Sequence, residues 1–118
     1  MMKEIDIKWE GADGLLQSGK VMLRMMEGGE TTEIESKAKI RVGNVFTTDD
    51  RKVRFTRMAR FIVDAPFKPA GKAWKDASEN ERFEFLVHLH DDVVAYILLS
   101  QSKMGHMMED TENLLNSQ

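Results

Sequence analysis

A capping box opens the last third of this chain, and the apolar stripe behind it constrains the fold more than any other stretch. Ser78-Glu79-Asn80-Glu81 places a hydroxyl at a helix N-cap and a carboxylate three residues on, the pairing that satisfies two otherwise orphaned backbone donors. Phe83, Leu86, Val87, His90, Val93, Val94, Ile97 and Leu98 then recur at helical spacing, and Phe85, Leu89, Tyr96 and Leu99 widen the stripe. The spacing predicts one long helix over residues 79–104, with Gly105 ending or kinking it. So much apolar surface on one helix has to be covered on more than one side, by a sheet of the same chain and by a second subunit.

The sheet is legible upstream. In Lys3–Trp9, Ile5, Ile7 and Trp9 alternate with Glu4, Asp6 and Lys8, the pattern of a half-buried strand. Gly11–Gly14 is a turn signal, and Val21, Leu23 and Met25 alternate again. Gly28-Gly29 then predicts a tight hairpin into a strand over Thr32–Val42, because both glycines tolerate positive φ. Gly43-Asn44 breaks that strand, and Val45–Thr48 with Val53–Thr56 read as the arms of a second hairpin. Val, Phe, Thr and Ile favour strand for Val53–Val63. The alternative is a helix capped at Thr48-Asp49-Asp50, with Phe55, Met58, Ala59 and Ile62 at helical spacing. The fold class expected is therefore α+β: an N-terminal antiparallel sheet of about four or five strands, then one long C-terminal helix. Residues 1–104 form one domain, with the sheet over 3–63, a loop carrying Pro66, Pro69 and Gly71 over 64–77, and the helix over 79–104; residues 105–118 are an acidic tail.

Charge is segregated along this layout. Residues 37–75 hold eleven basic and three acidic side chains, a net of +8, while residues 1–36 carry −4 and residues 76–118 carry −7. The overall charge of −3 conceals this. A solvated face normally mixes signs, because concentrated like charge repels itself. Cations interleaved with flat rings suit a single-stranded nucleic acid, which offers phosphates and unstacked bases. The candidate nucleic-acid contacts are Lys37, Lys39, Arg41, Arg51, Lys52, Arg54, Arg57, Arg60, Lys68, Lys72 and Lys75 for phosphates, with Phe46, Phe55, Phe67 and Trp74 for stacking. Each ring taken singly is equally a core residue, because aromatic burial dominates core energetics.

Other chemistry is sparse. No cysteine is present, which excludes disulfides, thiolate metal sites and a cysteine nucleophile, and fits a reducing cytoplasm. His88-Leu89-His90-Asp91-Asp92 resembles a metal cluster, but on a helix only His88 and Asp92 share a face, and His90 falls on the apolar stripe as a core histidine. Gly71-Lys72 lacks the remaining residues of a phosphate-binding loop, and no catalytic motif is present. The expectation is a non-enzyme with no cofactor and no bound metal. The charged N-terminus and the short apolar run Val93–Leu99 argue for a soluble cytoplasmic protein, in the host cytoplasm if viral, with no membrane partner.

In layout, with four or five strands, one long helix, a basic sheet and an acidic end, the chain resembles single-stranded-DNA-binding proteins of the Whirly and positive-cofactor type. It also resembles the single-stranded-DNA-binding transcription regulators of N4-like phages. The resemblance lies in architecture, not in a residue motif, so it transfers no site residues. It implies a homo-oligomer assembled through the C-terminal helices that presents strands to melted DNA. The expected function is sequence-tolerant single-stranded DNA binding in support of transcription or replication, with RNA as a related ligand. The alternative is a phage-type protein-interaction module, an inhibitor or assembly factor, whose basic face docks on an acidic protein; the acidic tail is a further candidate docking segment.

Overall fold

The computed structural model describes residues 1–11 and 13–116, with side chains up to Met104. Expectations that rest on the side chains of the acidic tail, residues 105–118, lie outside what is described. The fold is mixed α+β with an antiparallel sheet, and its elements run β1 (Met2–Glu10), β2 (Leu16–Arg24), α1 (Gly28–Lys37), β3 (Lys39–Val42), β4 (Val45–Thr48), α2 (Asp50–Phe61), β5 (Ile62–Asp64), α3 (Glu79–Leu86) and α4 (Asp91–Asn116). The main sheet has the order β1-β2-β5, and β3 pairs only with β4 in a separate ribbon.

The alternation in β1 does what its period dictates. Ile5, Ile7 and Trp9 are buried with Val21, Leu23 and Ile62 on one face of the sheet, and α4 crosses β1 on that face through Val94, Ile97 and Met104. The opposite face is solvated and carries the Lys20–Glu4 ion pair. Gly19, opposite Ile7, passes close under the proline loop: a Cβ there would sit 2.8 Å from Cγ of Pro66. Gly19→Ala is therefore expected to destabilise by about 1–2 kcal/mol through overpacking, measured by urea denaturation. An unchanged midpoint would show that the Pro66 loop yields freely.

Several expectations are overturned, beginning with the sheet, whose main part has three strands and not four or five, because β3 and β4 pair only with each other. Thr32–Val42 is not one strand, and Gly28-Gly29 is not a hairpin turn but the start of α1. Ile34 and Ala38 are the residues buried there, and at i,i+4 they share a helix face as well as a strand face. The tie is broken at the N-terminus, where the Glu30 carboxylate accepts the Glu27 N–H at 2.7 Å and is itself gripped by Arg24 from β2. Val53–Val63 is mostly helix: the Asp49 side chain caps α2 by accepting the Lys52 N–H, and Phe55, Met58 and Ala59 form its buried stripe. Only Ile62–Asp64 is strand.

The single helix over 79–104 is two. The Ser78 capping box starts α3 as its residues require, with the Ser78 hydroxyl accepting the Glu81 N–H at 3.1 Å and the Glu81 carboxylate accepting the Ser78 N–H at 2.9 Å. The helix then stops after Leu86. His90 is exposed and lies between the helices, not in the core; its Nδ1 accepts the Asp92 N–H at 3.1 Å and so caps α4. Asp91 and Asp92 stand in the first turn of α4, where the helix dipole favours acids. Gly105 does not end α4, which runs on to Asn116. Among the described residues no helix is long and apolar enough to cross a membrane.

Candidate interaction surface

The fifteen residues expected to contact nucleic acid do not form one face. Trp74 is 1% exposed, and its indole N–H donates to the Ile62 carbonyl at 2.8 Å. Phe67 packs edge-on against Trp9, with ring centroids 5.2 Å apart, and Phe55 lies edge-on to Phe83 at 6.1 Å. Phe55, Phe67 and Trp74 are therefore core residues, not stacking platforms; apolar burial won over display at all three positions. Phe46 alone of the four rings is exposed, at 71%.

Four of the expected phosphate ligands are engaged by acids. Arg60 spans Glu79 at 3.1 Å and Glu33 at 3.4 Å. Lys37 pairs with Glu33 at 2.9 Å, Lys72 with Glu81 at 2.9 Å, and Lys75 approaches Asp64 at 3.9 Å. Lys37 and then Arg60 hold the Glu33 carboxyl below its usual range; the Ser78 N–H and then Lys72 do the same for Glu81. A cleft of about 340 Å³ between α1, α2 and α3 is lined by Lys37, Lys52 and Arg60, yet Glu79 on its wall and Glu33 beside it offset most of that charge.

Among the described residues, Lys39, Arg41, Arg51, Lys52, Arg54, Arg57 and Lys68 have no acidic partner. Arg51, Lys52 and Arg54 are exposed on the first turns of α2, and the Arg51 guanidinium lies 6.0 Å from the Phe55 ring centre. The Lys52 ammonium donates to the Lys37 carbonyl at the end of α1, at 3.4 Å. Arg57 is half-buried, and its Nε has no hydrogen-bond partner. Lys68 is exposed in the proline loop, apart from the others in sequence and at the edge of a second cleft of about 530 Å³ with Trp9, Phe67 and Phe85.

Lys39, Arg41 and Phe46 belong to the β3–β4 ribbon. Its register pairs Lys39 with Thr48, Ile40 with Thr47, Arg41 with Phe46 and Val42 with Val45. Gly43, at φ +62°, occupies the first central position of the connecting two-residue turn, where positive φ matches the twist of the strands. Directly opposed residues share a face, so Lys39, Arg41, Phe46 and Thr48 form one side and Ile40, Val42, Val45 and Thr47 the other. Neither strand has more than marginal contact with any other element. Ile40, Val42 and Val45 are 44%, 62% and 66% exposed, so the ribbon shows solvent an apolar face and a cationic one. An isolated two-stranded ribbon is marginal in water, and contiguous exposed apolar surface marks an interaction site.

Sequence alternation assigns Ile40, Val42 and Val45 to a sheet core and so misses them as surface residues. No sequence signal finds them, because the alternation runs unbroken from Thr32 to Val42; only the structure shortens the arms around Gly43-Asn44 to four residues each. On α4, Tyr96 and Leu99 are also exposed, on the side away from the sheet. Comparison with family models, with curated proteins and with solved structures finds no match to this chain.

Proposed function

We propose that this chain is a protein-interaction module that docks on an acidic partner protein through the β3–β4 ribbon and the adjoining cations of α2. The observation that carries this reading is the ribbon's free apolar face of Ile40, Val42 and Val45, backed by Lys39 and Arg41 on the opposite side. Apolar side chains gain nothing from a phosphate backbone, but they gain roughly 25 cal/mol for each Å² covered by a protein surface. The cations of the ribbon and of α2 steer an acidic surface toward it and reject a basic one.

A second reading keeps single-stranded DNA as the ligand, bound without sequence preference in support of transcription or replication. It is favoured by the Arg41–Phe46 pair, a cation and an exposed ring directly opposed across the ribbon, with Arg51, Lys52 and Arg54 further along the chain. One comparison separates the two. A photo-crosslinker at Val45 is expected to capture a defined acidic protein in a lysate of the source organism. Val42→Asp with Val45→Asp is expected to weaken binding of that protein by at least about a hundredfold, while leaving stability within about 0.5 kcal/mol, because both sites are exposed. Salt-sensitive binding of a labelled single strand that the double variant leaves intact would select the DNA reading instead.

A further inference from the structure

The ribbon has two edges, and they are chemically unlike. The Asp49 N–H donates to the Ala38 carbonyl at 2.8 Å, which makes Ala38 and Asp49 a hydrogen-bonded pair at the base of the ribbon. Bonded and non-bonded pairs alternate along an antiparallel ladder, so Ile40–Thr47 and Val42–Val45 are bonded pairs, and Lys39–Thr48 and Arg41–Phe46 are not. The N–H and C=O groups of Lys39 and Arg41 therefore point outward from β3, and those of Phe46 and Thr48 point outward from β4. The β3 edge carries both of the ribbon's charges, and the Arg41 guanidinium folds back to donate to the Gly43 carbonyl at 2.9 Å. The β4 edge is Val-Phe-Thr-Thr: uncharged, without proline, and built from residues that favour strands. Charge on an edge strand protects it from pairing, and an uncharged exposed edge is a template for another strand.

We propose, resting on the protein-docking reading, that the partner binds by strand addition along β4. The added strand is an extended segment that alternates acidic with apolar residues. Its apolar residues continue the layer of Ile40, Val42, Val45 and Thr47, and its acidic residues lie on the face of Lys39 and Arg41, the ribbon's only charges. The outward backbone groups of Phe46 and Thr48 supply the hydrogen bonds, and the two faces supply the choice of partner.

The test uses the full chain and a short synthetic peptide alternating glutamate with valine, with a lysine–valine peptide as its counterpart. Amide hydrogen exchange, read residue by residue, is expected to slow at Phe46 and Thr48 by at least about tenfold with the glutamate peptide and to stay unchanged with the lysine peptide. Phe46→Pro removes one outward N–H and none of the ribbon's own bonds, so it is expected to abolish that protection. Protection in the unaltered chain decides the matter even if the proline variant loses its ribbon. If Phe46 and Thr48 stay unprotected, or both peptides protect them equally, strand addition is overturned. If a single-stranded oligonucleotide gives the same protection, it is overturned in favour of nucleic acid. If strand addition fails while the Val42→Asp, Val45→Asp variant still loses its captured partner, the ribbon remains the docking site and only the mode is wrong. If that variant also captures normally, the docking reading falls as well.

Discussion

Trp74→Ala is expected to cost about 3–5 kcal/mol, the range for truncating a buried aromatic. Against the roughly 5–15 kcal/mol that holds a domain of this size together, that is a large fraction of the total stability. The indole is enclosed by Phe67 on one side and by the Arg82 guanidinium on another, 5.0 Å from the ring centre. Arg82 is fixed there by donating to the Trp74 and Ala59 carbonyls, so the ring ties α2, β5 and α3 together. Trp74→Phe separates packing from polarity. It keeps most of the apolar volume but leaves the Ile62 carbonyl without its indole donor, and is expected to cost about 1–3 kcal/mol. Urea denaturation of both variants checks this. A Trp74→Ala protein as stable as the parent would return this ring to the surface and reopen its role as a base platform.

The second large effect lies at the junction of β2 and α1. Arg24 donates to both oxygens of Glu30, at 2.9 and 2.7 Å, and to the carbonyls of Met25 and Arg60. Arg24→Ala strips all of these at once and leaves a partly buried carboxylate without its cation, an expected loss of about 2–3 kcal/mol. The same contact makes stability pH-dependent. Arg24 first, and the Glu27 N–H after it, hold the Glu30 pKa at about 2, against 4.5 for a free glutamate. The folded pKa is the lower one, so Glu30 contributes its full stabilisation above pH 4.5 and loses it as the pH falls toward 2. With its carboxylate still partly in solvent, that contribution is about 1–2 kcal/mol. Glu30→Gln should therefore shrink the stability lost on acidification by a little over half of that amount, read from denaturation midpoints at neutral pH and at about pH 3, where the folded-state carboxylate is still ionised. An acid profile identical to the parent's would show that other carboxylates carry the transition.

How far the sequence foretold the candidate surface depends on the residue. Lys39, Arg41 and Phe46 are exposed, as expected, but beside apolar neighbours whose alternation assigns them to a sheet. Lys37, Arg60, Lys72 and Lys75 fit the role of phosphate ligand equally well in sequence; Glu33 reaches Lys37 as soon as α1 forms, one turn away, whereas Glu79, Glu81 and Asp64 meet Arg60, Lys72 and Lys75 only in the packed fold. Composition counts charges but does not pair them, so a net of +8 along the chain becomes a smaller set of unmatched cations in space.

Where the local pattern admitted one solution, sequence alone determined the outcome. The strict alternation of Ile5, Ile7 and Trp9 has no helical equivalent, and the Ser78–Glu81 capping box has no strand equivalent; both stand as read. Ile34 with Ala38, and Phe55 with Ala59, fit either period at i,i+4, and there the choice was made by distant groups. Arg24 reaches from β2 to anchor the start of α1, and α3 packs against α2 to bury Phe55 against Phe83. Tertiary structure alone decided which rings are core and which strands stay outside it, because burial belongs to the packed whole: a hydrophobic residue is inside only if another element arrives to cover it, and none of the described elements covers β3 and β4.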